Sequence, residues 1–440
     1  MKVAIVQEHV ELRRGGAETS TVEMAQHLAE LGLDVTLVCA AGDGAAEQPG
    51  RAAPERPCAS AARDALAGAG AAAAQCPRAG LRIEALDVAG PSRLQRTVRF
   101  IAAADRFCRE GRFDIVHAVT PCFSCSVYQP RGGTYAETIA RSLQRTRWPL
   151  ARAIRRIGRR FNCRQRFLLL AERRLLSDRD PPFVAAVSQY VAQQVRAAFP
   201  EFPAGRVRVV FNGVDMRPLA PDEARRARTL VRAELGVDEE APLVLFVAHN
   251  FKLKGLAELI RASRETPPPP RPEHTRSRGA PPRWHLVAVG RDKAARYQRL
   301  ARRLGVAQRI RFAGPRADLR PFYAAADMLA HPTWYDPCSR VVLEALCCGL
   351  PVVTTRFNGA AEVIAEGRHG FVIDAPDDSG ALAAAIERCL AADVRRLCRA
   401  DASRLSEQLS MARHARELLA LYEHVAARSR AATRGGPGSR

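Results

Sequence analysis

The sequence predicts an α/β protein built from two doubly wound domains, and three observations carry that prediction. The first forty residues read strand, glycine loop, helix, strand. The same alternation restarts at Pro242 after a change of tempo near residues 206–215. Late in the chain, a helix that is apolar almost all round sits between a loop and a strand and carries an acid at its centre. At 440 residues the chain is long enough for two ordinary cores.

The elements follow in order. Lys2-Val-Ala-Ile-Val6 is an apolar strand, and Gly15-Gly16-Ala17-Glu18 is a loop that lets backbone approach a bound group closely. An amphipathic helix then runs to Leu31-Gly32, and Val35-Thr-Leu-Val-Cys39 is the second strand. The glycines do not complete a dinucleotide fingerprint, so a nicotinamide enzyme gains no support. Residues 41–80, rich in Ala, Gly and Pro, are expected to form a loop insertion of poor order. Further strands are expected over Arg82–Val88, Asp114–Ala118 and Phe183–Val187. The second half offers strands at Pro242–Ala248, His285–Gly290, Arg309–Ala313 and Met328–His331. Helices begin at Gly255 and cover Tyr297–Leu304 and Phe322–Ala326, and residues 265–283, with their run of prolines, form a surface insertion.

The run from Trp334 to Thr355 is the most informative stretch. Ser339 is placed to cap a helix, Gly349 sits at its C′ position and Pro351 stops continuation. Within that apolar helix Glu344 needs a partner, which is either an arginine of this Arg-rich chain or a pair of ligand hydroxyls. Asp336 lies on the loop ahead of it. The backbone N–H groups of Ser339, Arg340 and Val341 are helix-start donors, a ready anion site. Two acids flanking such donors suit a sugar hydroxyl, a phosphate and a ribose. For Asp336-Pro337 a simple turn is the plain alternative. After the strand ending at His249 comes Asn250-Phe-Lys-Leu-Lys-Gly255, where Lys254 stands at the mouth of a helix and can meet a diphosphate. A solvated loop lysine is the alternative.

Composition bounds the rest. At 47% hydrophobic and 26% charged the chain is globular, and its +22 formal charge favours an anionic partner: nucleic acid, acidic membrane or phosphorylated glycan. The twelve cysteines do not form a disulfide pattern, and Cys122 and Cys125 have no second pair at zinc-finger spacing. The chain opens directly into a strand, and no apolar run approaches the roughly twenty residues that span a bilayer, so a cytoplasmic, reduced protein is expected. After Pro149, Leu150, Ile154, Ile157 and Phe161 recur at helical spacing, with Arg152, Arg155, Arg156, Arg159 and Arg160 on the other faces. That cationic amphipathic helix suits an anionic lipid surface, through residues 148–174, or else packs as an ordinary surface helix.

Asp336 and Glu344, separated by seven residues, resemble the paired-acid motif of retaining glycosyltransferases of the family-4 type. That family has Glu and often Gly where this chain has Asp336 and Ser339, and it often has Arg where Leu253 stands, with Lys252 one step earlier. Gly15, Gly16 and Glu18 look like its Gly-Gly-x-Glu loop, which approaches the donor phosphate and the acceptor. His117 occupies a strand end facing the expected cleft, where family members frequently place histidine, and the resemblance implies a catalytic role for it beside Asp336 and Lys254; an isolated strand histidine is otherwise structural. Asn358, Gly359 and Glu362 resemble the loop that closes over the donor sugar. The resemblance implies a GT-B architecture, two Rossmann-like domains facing across a cleft. Residues 1–200 form the acceptor side, 205–400 the nucleotide-sugar side, and a helix at 405–427 crosses back.

It also implies the chemistry: a hexose, glucose from UDP-glucose, moved from a nucleotide-diphosphate sugar with retention by front-face attack. Glu344 binds the ribose, Asp336 the donor sugar, and Lys254, supported by Lys252 and the amides near Ser339, binds the diphosphate. Asp178-Arg-Asp180 reads as a turn, and no metal is required. Tyr135-Ala-Glu137 with the basic helix after it resembles bacterial lipopolysaccharide-core glucosyltransferases, which implies a glycan or glycolipid acceptor at the cytoplasmic face of the inner membrane. The competing readings are transfer to another lipid or small molecule, an inactive sugar-nucleotide-binding scaffold and a basic nucleic-acid-binding protein. Against the last, aromatics make up only 6% and do not interleave with the basic run.

Overall fold

The structure is a computed structural model that describes residues 1–10, 16–41, 80–144, 162–265 and 284–434. The chain divides into two compact units, Met1–Gly213 with Met411–Arg440, and Val214–Ser410. Both expected insertions, apart from their edges, lie outside the described residues, as do residues 145–161 of the basic segment.

The first unit runs β1 (Lys2–Val6), α1 (Gly16–Glu30), β2 (Asp34–Ala40), β3 (Leu81–Leu86), α2 (Arg93–Glu110), β4 (Ile115–Ala118) and β5 (Val127–Tyr128). It continues with α3 (Tyr135–Gln144), α4 (Cys163–Leu176), β6 (Phe183–Ala186), α5 (Gln189–Ala198) and β7 (Val207–Val209). Among the described residues its strands form one parallel sheet, ordered β3-β2-β1-β4-β5-β6-β7. Val3, Ala4, Ile5 and Val6 are all fully buried, because a parallel sheet is covered on both faces and its central strands lose the apolar–polar alternation.

The second unit repeats the plan with α6 (Pro221–Leu235), β8 (Leu243–Val247), α7 (Leu256–Glu265), β9 (His285–Val289), α8 (Ala295–Arg303) and β10 (Ile310–Gly314). Then come α9 (Arg320–Ala325), β11 (Met328–His331), α10 (Arg340–Cys347), β12 (Val352–Thr355), β13 (Gly370–Ile373), α11 (Ser379–Cys389) and α12 (Ala392–Gln408). The order β10-β9-β8-β11-β12-β13 is all parallel. In both sheets the winding reverses beside the first strand, between β1 and β4 and between β8 and β11. A crevice for ligands opens at the carboxyl ends of strands at such a reversal. The predicted α/β class, with two doubly wound parallel sheets, is therefore the observed one.

The last helix, α13 (Met411–Arg434), belongs to the first unit. Met411, Ala415, Leu418, Tyr422 and Val425 recur at three- and four-residue spacing and share a core with Met24 and Leu28 of α1 and Ile5 of β1. The segment expected to cross back at 405–427 is split. Residues 405–408 end α12, and the returning helix begins only at Met411.

Candidate functional site

The loops after β8, β11 and β12 meet at the carboxyl edge of the second sheet. The first is stitched to the second by backbone: Trp334 N–H donates to the Leu253 carbonyl at 2.9 Å. Gly255 makes that close approach possible. Its φ is +84°, and a Cβ there would sit 2.0 Å from the Pro332 carbonyl oxygen. The second loop is held to the third in the same way. Asp336 N–H donates to the Phe357 carbonyl at 2.9 Å, and Gly359 N–H returns to the Asp336 carbonyl at 3.0 Å.

These stitches bring the predicted residues together. The Lys254 ammonium donates to Asp336 Oδ2 at 2.5 Å and to the Tyr335 carbonyl at 3.3 Å. His331, at the end of β11, lies behind the pair, with Nε2 3.7 Å from Asp336 Oδ2 and 3.3 Å from Ser339 Oγ. Burial pushes the Asp336 carboxyl up, but the Lys254 ammonium and His331 outweigh it and hold the group well below the usual carboxylate range. Burial, opposed by Asp336, pushes the His331 imidazole down. Asp336 is thus an anion and His331 a neutral acceptor-donor at neutral pH. Lys252 stands two residues before Lys254 on the same turn and is half-buried.

Ser339 occupies the N-cap of α10, but its side chain does not cap it. Its hydroxyl has turned to His331, and its N–H already donates to Asn358 Oδ1 at 3.1 Å. Asn358 Oδ1 also accepts from Ala360 N–H, while its amide donates to Thr354 Oγ1 at 3.0 Å, so this side chain ties the third loop to the helix start. Arg340 and Val341 form the first turn of α10. The far end of α10 is as expected: Gly349, at φ +71°, and Leu350 return their N–H groups to Leu346 and Ala345 in a Schellman closure.

Glu344 is buried on α10. The arginine of the plain reading exists: Arg340, one turn earlier, reaches Glu344 Oε1 at 3.4 Å. A second partner was not foreseen. The Tyr323 hydroxyl, on α9, donates to Glu344 Oε2 at 2.9 Å. The sequence did hold a signal for it, because a buried tyrosine usually places its hydroxyl on a partner.

Four predicted residues belong to the first unit instead. Gly16 and Glu18 form the first turn of α1, and Gly15 lies outside the described residues. His117, on β4, is fully buried, and its Nδ1 is hydrogen-bonded to the Tyr422 hydroxyl of α13 at 2.6 Å. Burial, with the Arg131 guanidinium beside it, pushes this imidazole down to about 3. Arg131 bonds Gln129, Ser20 and Asn212, joining α1 to the ends of β5 and β7. Asp178-Arg-Asp180 is a turn, with Asp180 N–H on Asp178 Oδ1 at 3.2 Å and the Asp180 carboxylate on Arg206.

Glycosyltransferase Family 4 matches residues 14–217, and Glycosyl transferases group 1 matches residues 241–392. The lipopolysaccharide glucosyltransferase WaaG of Escherichia coli (strain K12) is 32% identical over 183 residues, covering 42% of this chain and 46% of that protein. Alpha-maltose-1-phosphate synthase of Mycolicibacterium smegmatis is 32% identical over 252 residues, covering 56% and 63%. A D-inositol 3-phosphate glycosyltransferase of Catenulispora acidiphila is 35% identical over 202 residues, covering 43% and 44%. The matches thus span about half to under two thirds of these relatives' lengths. The crystal structure of WaaG superposes with a TM-score of 0.69 at 21% identity, over 94% of this chain and 98% of that one. Anabaena Alr3699/HepE in complex with UDP-glucose gives 0.65 at 19% identity, over 96% and 100%. Two family domains in succession, on two parallel-sheet units, take in most of the sequence: the chain belongs to the GT-B glycosyltransferases, with a family 4 domain followed by a group 1 domain.

Proposed function

We propose that the protein is a retaining hexosyltransferase that moves glucose from UDP-glucose to a glycan or glycolipid acceptor of the lipopolysaccharide-core kind. One observation carries the donor half of this reading. A lysine, two acids and a helix start converge at the carboxyl edge of the second sheet, beside the reversal of its winding. Glu344 accepts the ribose hydroxyls. Lys254, with Lys252 and the first-turn amides at Arg340 and Val341, receives the diphosphate. The Ser339 N–H is left out of that set because Asn358 holds it. Asp336 accepts donor-sugar hydroxyls once the diphosphate draws Lys254 toward itself, and Asn358 and Gly359 shape the same wall.

Catalysis in this reading rests on charge placed where the leaving diphosphate develops it, with the acceptor oriented for front-face attack, and no metal is invoked. Gly15 and Gly16 belong to the donor side of this reading and Glu18 to the acceptor side. His117, buried on Tyr422, acts by holding α13 to the first sheet. For the acceptor, the similarity to WaaG and to a lipopolysaccharide core glycosyltransferase of Rhizobium meliloti supports a glycolipid. For the membrane, among the described residues no helix is long and apolar enough to cross. The described end of the 148–174 segment supports peripheral contact. Leu170 is 58% exposed on α4 beside Arg166, Arg173 and Arg174, and Arg174 lies over the ring of exposed Phe123. The deciding experiment is a binding screen of UDP-, GDP- and ADP-sugars followed by the anomeric configuration of the product. UDP-glucose binding and a retained anomer are expected. Exclusive GDP-mannose binding overturns the donor, an inverted product overturns the mechanism, and tight competition by nucleic acid at physiological salt favours the binding-protein alternative.

A further inference from the structure

We infer that Tyr323 is a positioning residue for the nucleotide: its hydroxyl fixes the Glu344 carboxylate in the orientation that takes two neighbouring ribose hydroxyls. The inference rests on the reading of Glu344 as the ribose acceptor and adds a residue to it.

A carboxylate on a helix turns freely about its terminal bond unless both oxygens are held, and it offers about four lone-pair sites. Glu344 is held at both ends. Tyr323 donates to Oε2 at 2.9 Å, and Arg340 reaches Oε1 at 3.4 Å. The shorter of these bonds comes from a rigid source. Tyr323 is 2% exposed, a buried aromatic side chain on α9. Arg340 is a long side chain, one turn away on the helix that carries Glu344 itself, and its bond is the longer one.

Burial and the neighbouring carboxylate push the phenol well above its ordinary range, so it stays protonated and toward Glu344 it acts as a donor. A donor on each oxygen still leaves each of them a lone pair for a ligand. A ribose presents its 2′ and 3′ hydroxyls as two adjacent donors, one for each carboxylate oxygen. Hydrogen bonds to an ionised group are the strong ones, so orientation lost here is felt in affinity.

The test uses the full-length protein and two variants, Tyr323→Phe and Glu344→Gln. UDP, GDP and ADP are each titrated beside their 2′,3′-dideoxy analogues. Tyr323→Phe keeps the ring and therefore the packing, and an unchanged melting temperature confirms it. The expected result is a loss of about tenfold in affinity for the ribonucleotide that the wild type binds best, with little change for its dideoxy analogue. Equal losses for both sugars, or none for either, overturn the positioning role, since a purely structural tyrosine does not distinguish them. Glu344→Gln separates the two levels of the argument. If it erases the preference for ribose and Tyr323→Phe does not, only Tyr323 is misassigned. If Glu344→Gln also leaves that preference intact, or if none of the three nucleotides binds, the ribose reading fails and this inference with it.

Discussion

The two sheets share a strand order around their first strand, yet their carboxyl edges are unlike. At the second sheet, Lys254 and Asp336 stand on loops tied by backbone bonds and pair with one another, and Glu344 stands one turn into α10, paired with Arg340. At the first sheet, the polar groups of the corresponding edge are buried. His117 bonds Tyr422 through Nδ1, its Nε2 buried without a hydrogen bond, and Arg131 bonds Ser20, Gln129 and Asn212, beside a helix that arrives from the far end of the chain. The winding supplies the position of a site, but the loops decide whether charge is available there or consumed by packing. A histidine at a strand end is therefore weaker evidence of chemistry than a lysine on a loop.

The largest effect that tests this difference is expected at Lys254. Replacing it by Ala should lower turnover with the donor by about 10²–10³-fold, because the leaving group loses its cation. Turnover and melting temperature measured together separate this from unfolding, since Asp336 then loses its ion-pair partner in a buried place. At the first sheet the expected damage is to stability instead. His117→Ala should cost about 2–4 kcal/mol, as the side chain and the partner of the Tyr422 hydroxyl are both lost. Nucleotide affinity should stay unchanged. Normal stability with abolished turnover would instead place His117 at the chemistry and erase the contrast.

The contrast also has a pH signature. His117, His331 and His414 are all buried, and burial pushes each imidazole below its ordinary value, His117 to about 3. In the unfolded chain they take up protons near pH 6.5, while the folded protein resists. Their contribution is therefore complete above that pH and declines as pH falls toward the folded values. The slope for each is at most about 1.4 kcal/mol per pH unit. Asp336 is also depressed, so its contribution holds above the ordinary carboxylate range and fails only in stronger acid. Denaturant midpoints should hold from pH 7.5 to about 6.5 and fall from there to pH 4.5, and a flat profile would contradict the buried neutral histidines.

Much of this was legible because apolar runs declare themselves. Val3–Val6, Leu243–Val247 and Met328–His331 were readable as strands because both faces are covered and every residue is apolar or nearly so. Strand β5, only Val127 and Tyr128, has no run to read, and β13 begins with a glycine, so neither was anticipated. The paired acids and Lys254 could be named from spacing, but their mutual partners could not. Lys254 and Asp336 are far apart in sequence, and only the backbone stitches through Leu253 and Trp334 join them. Ser339 was misread as a cap for the same reason: its hydroxyl finds His331, a tertiary neighbour. The bond from Tyr323 to Glu344 joins two different helices, a tertiary contact that no local spacing announces.

A smaller effect sharpens the comparison from the surface. Neutralising Arg155, Arg156, Arg159 and Arg160 should weaken binding to anionic vesicles by about 1 kcal/mol per residue, in a salt-dependent way. Donor binding in the second unit should not change. Indifference of the wild type to such vesicles at low salt would reduce the 148–174 segment to an ordinary solvated face.

The donor site at the second sheet is the central claim, and calorimetric titration of UDP-glucose into the wild type and Glu344→Gln tests it most directly. Saturable binding that falls by about tenfold or more in the variant is the predicted result. Binding that is equal in both proteins, or absent from the wild type, would contradict the site.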